Sequence, residues 1–303
     1  MSSNVACSRV YALWRSARPP FLLLTVMVMA LTFSAIGPSA PVVEWGLVFS
    51  LALAAHLSVN WLNEYDDARS GLDGLTAKTP FSGGSGALQA CPDAVGWVLR
   101  AGWFLVGFIA AAGLFLALTR QGELIWFGLA GLGLVVFYTS HLTRRPFAML
   151  IAPGLAFGPV MMLGTEFLLQ GQISMAMLLL ALMMFFLVNN LLLLNQFPDV
   201  AADARVGRLT LPMQLGTQAS ATVFVQSLGL AYAVLATAIL SEVLPPSAAL
   251  GFITMLLAAP LGWRVLRDHR NLTRLKAVLG WNVVVVLLTP ALVATGLWMG
   301  KMI

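Results

Sequence analysis

The sequence is short of charge. Only 10% of its 303 residues are Asp, Glu, Lys or Arg, against about a quarter in an ordinary soluble domain. So little charge cannot cover a water-facing surface, which excludes a soluble globular protein. Cysteine is nearly absent: Cys7 and Cys91 are too few and too far apart to suggest a disulfide framework or a metal site. The three histidines, His56, His141 and His269, show no ligand spacing. Short alternating apolar stretches are missing, which excludes a transmembrane β-barrel and leaves helices to satisfy the backbone in lipid. There is no low-complexity segment and no stretch that reads as a soluble domain. The net charge of +5 calls for no nucleic-acid partner, because its distribution fits membrane topology better.

What is present is apolar surface: 59% of the residues are hydrophobic, enough for a polytopic membrane protein. Nine candidate spans run roughly over 19–37, 43–63, 95–118, 122–140, 147–168, 174–196, 219–241, 247–265 and 277–300. Each is near the ~20 residues that cross about 30 Å of hydrocarbon. The first follows Arg15 and Arg18 and is long enough to span, so no cleavable signal peptide is expected. With the N-terminus in the cytoplasm and alternating spans, every Arg and Lys except Arg120 and Lys301 falls on the cytoplasmic side. The expected topology is therefore N-in, C-out. The expected architecture is an all-α membrane protein, about nine helices around a central cavity, in one domain over 1–303. Its long loops, 64–94 and 198–218, are both internal and would cap the cavity.

The scarce acids are concentrated. Of twelve Asp and Glu, four stand in Asn63-Glu64-Tyr65-Asp66-Asp67 and at Asp73. A second cluster, Asn195-Gln196-Phe197-Pro198-Asp199 with Asp203, closes another apolar segment four spans later, which hints at a weak internal duplication. On a helix, Asn63 and Asp67 share a face, as do Asn195, Asp199 and Asp203. Gly71 is expected to end the first helix. Two such faces opposed would hold more negative charge than apolar walls tolerate. Hard divalent cations resolve this, since Mg²⁺ takes carboxylate and phosphate oxygens together, and a diphosphate bridged by the metal is the natural third party. Arg69 and Lys78 follow the first cluster, and Arg205 and Arg208 the second. They are either phosphate ligands or ordinary positive-inside anchors. Phe81-Ser82-Gly83-Gly84-Ser85-Gly86 lacks a Walker lysine pattern and reads as a tight loop over the site. The competing reading of each acid cluster is a solvated helix cap.

At these residues the chain resembles the UbiA superfamily of intramembrane prenyltransferases, most closely its menaquinone-pathway (1,4-dihydroxy-2-naphthoate polyprenyltransferase-like) branch. Asn63-Glu64-Tyr65-Asp66-Asp67 with Gly71 and Asp73 is similar to the branch's Asn-Asp-x-x-Asp motif, with Glu64 in place of the usual Asp. Asn195 through Asp199 and Asp203, on to Gly207-Arg208-Leu209-Thr210-Leu211, resembles the second motif and its trailing Gly-Lys/Arg-x-Thr-Leu. Tyr138-Thr139 and Phe157-Gly158-Pro159 also match. Between them, His141 to Arg145 and Pro153-Gly154 stand where Gly-Leu-Gly-Glu is usual, which leaves the acceptor open.

The resemblance implies Asn63, Asp67, Asp73, Asn195, Asp199 and Asp203 as holders of Mg²⁺ and the diphosphate, with Asp67, Asp199 and Asp203 catalytic. Arg69, Lys78, Arg208, Tyr138 and Arg145 are the expected substrate-binding residues. The implied reaction ionises a polyprenyl diphosphate to an allylic cation that alkylates an aromatic, quinone-precursor-like acceptor, in a bacterial inner membrane with the site facing the cytoplasm. The nearest alternative is a terpene cyclase on the same metal site. A transporter or a non-catalytic lipid-binding protein is the alternative from another class. The oligomeric state is not legible.

Overall fold

The computed structural model describes residues 7–38, 40–72 and 84–302. Asp73, Lys78 and Phe81-Ser82-Gly83 of the glycine-rich segment lie outside the described residues. Every regular element among the described residues is helical. A short helix α1 (Arg9–Ser16) precedes α2 (Pro19–Ile36) and α3 (Val42–Ser70). A single turn, α4 (Ala87–Ala90), leads to α5 (Val95–Thr119) and α6 (Leu124–Ser140). Next come α7 (Pro146–Leu155), a π-helical stretch (Ala156–Leu163) and α8 (Gly164–Gln170), which together make one continuous rod. The chain then forms α9 (Met175–Arg205) and α10 (Leu211–Leu240). A 3₁₀ segment (Pro246–Thr254) runs into α11 (Met255–Asp268), and α12 (Leu272–Met302) ends the bundle.

Among the described residues eight helical rods are long and apolar enough to cross a membrane, and the shorter α6 is a ninth apolar helix. The protein is an integral membrane protein. Helix α9 is the axis of the bundle, with 67% of its apolar window buried, and it packs on α7, the π-helical stretch, α10 and α12. Local signals explain the boundaries. Prolines occupy the first turns of α2, α7 and α10, where a missing N–H costs nothing. Ser174 caps α9 by accepting from Met177 N–H at 3.1 Å. Glu166, buried in the first turn of α8, takes the Ser174 N–H at 2.9 Å and its hydroxyl at 2.7 Å, which satisfies a carboxylate that has no water to turn to.

The π-helical stretch has a clear cause. Pro153 and Pro159 remove two ladder donors. The Gly154 N–H finds the side-chain oxygen of Asn189 at 2.7 Å instead. At Gly158 a Cβ would stand 2.3 Å from the Ala181 carbonyl oxygen, so only glycine permits the close approach to α9. The two cations that sequence assigned to the far side share one end of the bundle: Arg120 pairs with Glu44 at 2.5 Å, and Lys301 donates to the Ser34 carbonyl at 2.9 Å.

Two expectations need correction. The internal loops are shorter than 64–94 and 198–218, because α3 continues to Ser70 and α9 to Arg205; Pro198 lies within α9 without ending it. Cys7 and Cys91 are too few and too far apart in sequence to suggest a disulfide framework. They are joined, with Cα atoms 5.6 Å apart, because α1 folds back beside α4. Distance along the chain did not report distance in space.

Candidate active site

The site forms where the far ends of α3 and α9 face each other. Both acid motifs lie on intact helix, so the four-residue spacing holds in space. Asn63 and Asp67 on α3, and Asn195, Asp199 and Asp203 on α9, all line one cavity of about 420 Å³, a size typical of small-molecule sites. Helix α3 ends at Gly71, whose φ of +75° turns the chain away.

After α9 the chain reverses within the five residues 206–210. Gly207 has φ +74°, which a side chain would resist. The Arg208 N–H returns to the Asp203 carbonyl at 3.0 Å, and the Leu209 N–H reaches the Thr143 carbonyl at 3.0 Å. Gln196 accepts the Leu211 N–H at 3.1 Å and so anchors the start of α10. This folded turn aims Arg208 back into the site. Its guanidinium bonds Asp67 and stands 3.7 Å from Asp203, tying the two motifs together. Burial alone would lower the Arg208 pKa, but Asp67 and Asp203 outweigh it and hold the group above the ordinary arginine value. Arg208 is a fixed positive charge.

A second arginine enters from α2. Arg18 caps that helix in the left-handed region, with φ +51°. It donates to Glu64 at 2.7 Å through Nε, and its Nη2 lies at ion-pair distance from the same carboxylate, 2.5 Å, and 3.6 Å from Asp67. Sequence reading took Arg18 for a positive-inside anchor. Its place directly before Pro19-Pro20, at the start of a span, was the signal available.

The expected substrate-binding residues divide. Arg208 and Tyr138 line the cavity, whereas Arg69 and Arg145 are exposed and outside its wall. Lys78 and Asp73 lie outside the described residues. Tyr65 and Asp66 are not on the wall. Deeper in, the wall is apolar, with Phe127, Leu132 and Val135 of α6 facing Phe157 and Met161. Polar groups interrupt it at His56 on α3 and Thr165 on α8; the His56 ring takes part in a 2.8 Å hydrogen bond with Thr25 and lies edge-on to Phe157.

The donor set suits a hard cation. The Oδ1 atoms of Asn63 and Asp199 are buried and have no hydrogen-bond partner among the described residues, which in a dry site is costly unless a ligand meets them. Such oxygens are what Mg²⁺ selects. Among the described residues no three acids, histidines or cysteines gather closely enough to enclose a metal by themselves. A cation here would therefore share its shell with substrate oxygens, the usual habit of Mg²⁺.

A bundle of membrane-length apolar helices with a charged mouth above a mainly apolar cavity defines a membrane-embedded protein with a site polar at one end and apolar at the other. The profile of the UbiA prenyltransferase family matches residues 21–284, so the chain belongs to that family and is a prenyltransferase. It is 26% identical over 236 residues to the 1,4-dihydroxy-2-naphthoate octaprenyltransferase of Bacillus subtilis (strain 168), covering 73% of this chain and 71% of that one. The solved structure of digeranylgeranylglyceryl phosphate synthase superposes with a TM-score of 0.63 at 13% identity, covering 96% of this chain and 99% of the other. A UbiA homolog from Archaeoglobus fulgidus bound to DMAPP and Mg²⁺ superposes with a TM-score of 0.59 at 16% identity, covering 95% and 99%.

Proposed function

We propose that this prenyltransferase transfers an isoprenyl group from a polyprenyl diphosphate to an aromatic, quinone-precursor-like acceptor in a Mg²⁺-dependent reaction. One observation carries the reading: two oxygen-rich helical faces, cross-linked by Arg208, stand at the head of an apolar cavity. The menaquinone-pathway relative supports the acceptor class, and the Mg²⁺ and DMAPP in the archaeal homologue support the donor and the metal.

Asn63, Asp67, Asp73, Asn195, Asp199 and Asp203 would hold Mg²⁺, which when bound neutralises the diphosphate and makes it a better leaving group. Arg208 and Arg18 supply fixed positive charge where the departing oxygens gain negative charge. The allylic C–O bond breaks and its electron pair leaves with diphosphate. The acceptor ring then donates a π pair to the allylic carbon, and loss of a ring proton restores aromaticity. The cavity around Tyr138 and Phe157 excludes water from the cation. Arg69 and Arg145, exposed near the mouth, and Lys78 are assigned to recruiting the anionic substrates. The whole of 1–303 is taken as one catalytic unit, N-in and C-out, with the site on the cytoplasmic side of a bacterial inner membrane.

Mass spectrometry of the products tests this. With an allylic diphosphate and a panel of dihydroxy aromatic acids, the expected product is a prenylated acceptor. A cyclic terpene formed equally well without acceptor would replace transfer with cyclisation.

A further inference from the structure

Glu64 is the residue at which the first motif departs from its family pattern, and it does not line the cavity. Its side chain is nevertheless completely buried, at 0% exposure. A buried carboxylate persists only when its lone pairs are filled, and here they are. Oε1 accepts from Arg18 Nε at 2.7 Å and from the Ser85 N–H at 2.8 Å, and Oε2 accepts from the Ser85 hydroxyl at 2.5 Å. One carboxylate thus joins three separate stretches of chain: the start of α2, the end of α3 and the glycine-rich segment.

One of its partners lies on the cavity wall and the other directly beside it. Arg18 lines the cavity, as does Gly84, the neighbour of Ser85. Arg18 also occupies a left-handed conformation, which a side chain adopts only when its surroundings over-determine it. Asn60, one turn below Glu64, fixes the preceding carbonyl by donating to Ala17 at 2.9 Å. The backbone is held from one side and the guanidinium from the other.

We propose that Glu64 is a positioning residue: its buried carboxylate latches Arg18 and the Ser85 segment together, so that Arg18 meets the diphosphate at the head of the cavity. Glu64 touches no reacting atom. It acts through Arg18, whose Nη2 lies at ion-pair distance from Glu64 and 3.6 Å from Asp67. The inference rests on the diphosphate reading above.

The test uses the full-length protein in detergent with Mg²⁺ present. Initial rates for wild type, Glu64→Gln, Glu64→Asp and Ser85→Ala are read as KM and kcat for the donor at saturating acceptor. Hydrogen exchange at 84–90 is followed with and without inorganic pyrophosphate. Glu64→Gln keeps the shape but removes the charge, and is expected to raise the donor KM at least tenfold while the acceptor KM stays within twofold. Pyrophosphate should protect 84–90 in wild type and fail to do so in Glu64→Gln. Glu64→Asp should recover part of the donor affinity, and Ser85→Ala should show the same KM effect in weaker form. A folded Glu64→Gln with unchanged donor KM and unchanged protection overturns the latch. So does an equal rise in both KM values. If Glu64→Gln does not fold, Ser85→Ala decides by the same criteria. A wild type without turnover would defeat the proposed reaction, and pyrophosphate protection lost in the variant would then still judge the latch.

Discussion

Arg208 stands at the centre of the site's electrostatics. Its guanidinium is bonded to the first motif and close to the second. Breaking a buried ion pair by removing one partner costs about 3–5 kcal/mol, because the other charge is left uncompensated. Arg208→Ala is therefore expected to cut kcat/KM for the donor at least 100-fold, as measured by initial rates. Arg208→Lys should recover only part of this, since a point charge cannot bridge both carboxylates as a planar fork does. His56 acts elsewhere. It lies seven residues, or roughly 10 Å of helix rise, below Asn63, so under the proposed reaction it would face the isoprenoid tail and not the reacting carbon. His56→Leu is expected to preserve pyrophosphate release while changing the ranking of donors by chain length in a competition assay. At this scale the sequence was legible where residues follow one another along a helix face, as in Asn195, Asp199 and Asp203. Arg18 and Glu64, 46 positions apart, share no local pattern, and the basic residue looked like any membrane anchor.

The helices themselves were legible because lipid demands long apolar runs, and every expected span has a helical counterpart among the described residues. Their ends were less so. Hydropathy falls at the first acid, yet α3 and α9 continue through their motifs because Arg18 and Arg208 compensate the charge from neighbouring elements. The π-helical stretch was not legible either, since it depends on α9 being near enough to take over the Gly154 N–H. That contact yields a prediction for the element. Gly158→Ala forces a methyl against the Ala181 carbonyl and is expected to cost about 1–3 kcal/mol by overpacking. Gly131→Ala, whose nearest neighbour is 3.4 Å away, should be close to neutral. Thermal unfolding of the two purified variants in the same detergent compares them directly.

For the whole molecule, the strong asymmetry of Arg and Lys makes a topological prediction. Gln172 and Ala204 are both exposed and lie near opposite ends of α9. In a background with Cys7 and Cys91 replaced by Ser, a membrane-impermeant maleimide is expected to label Gln172→Cys in intact cells. Ala204→Cys should react only after permeabilisation, and the reverse pattern would invert the topology. The same whole-molecule arrangement places the acids at one end of the cavity and a mainly apolar wall, with His56 and Thr165 but no acid, along the rest. A permeation path needs polar groups along its length, whereas heterolysis of an allylic diphosphate needs charge at one end and a dry wall at the other.

The central claim is that the two helical motifs act together on a diphosphate. It is tested most directly by measuring pyrophosphate release from an allylic diphosphate, with and without Mg²⁺, for wild type, Asp67→Ala and Asp199→Ala. Release is expected from wild type only when Mg²⁺ is present, with a loss of at least 100-fold in each variant while the fold is retained. Metal-independent release, or full activity after removal of either aspartate, would contradict it.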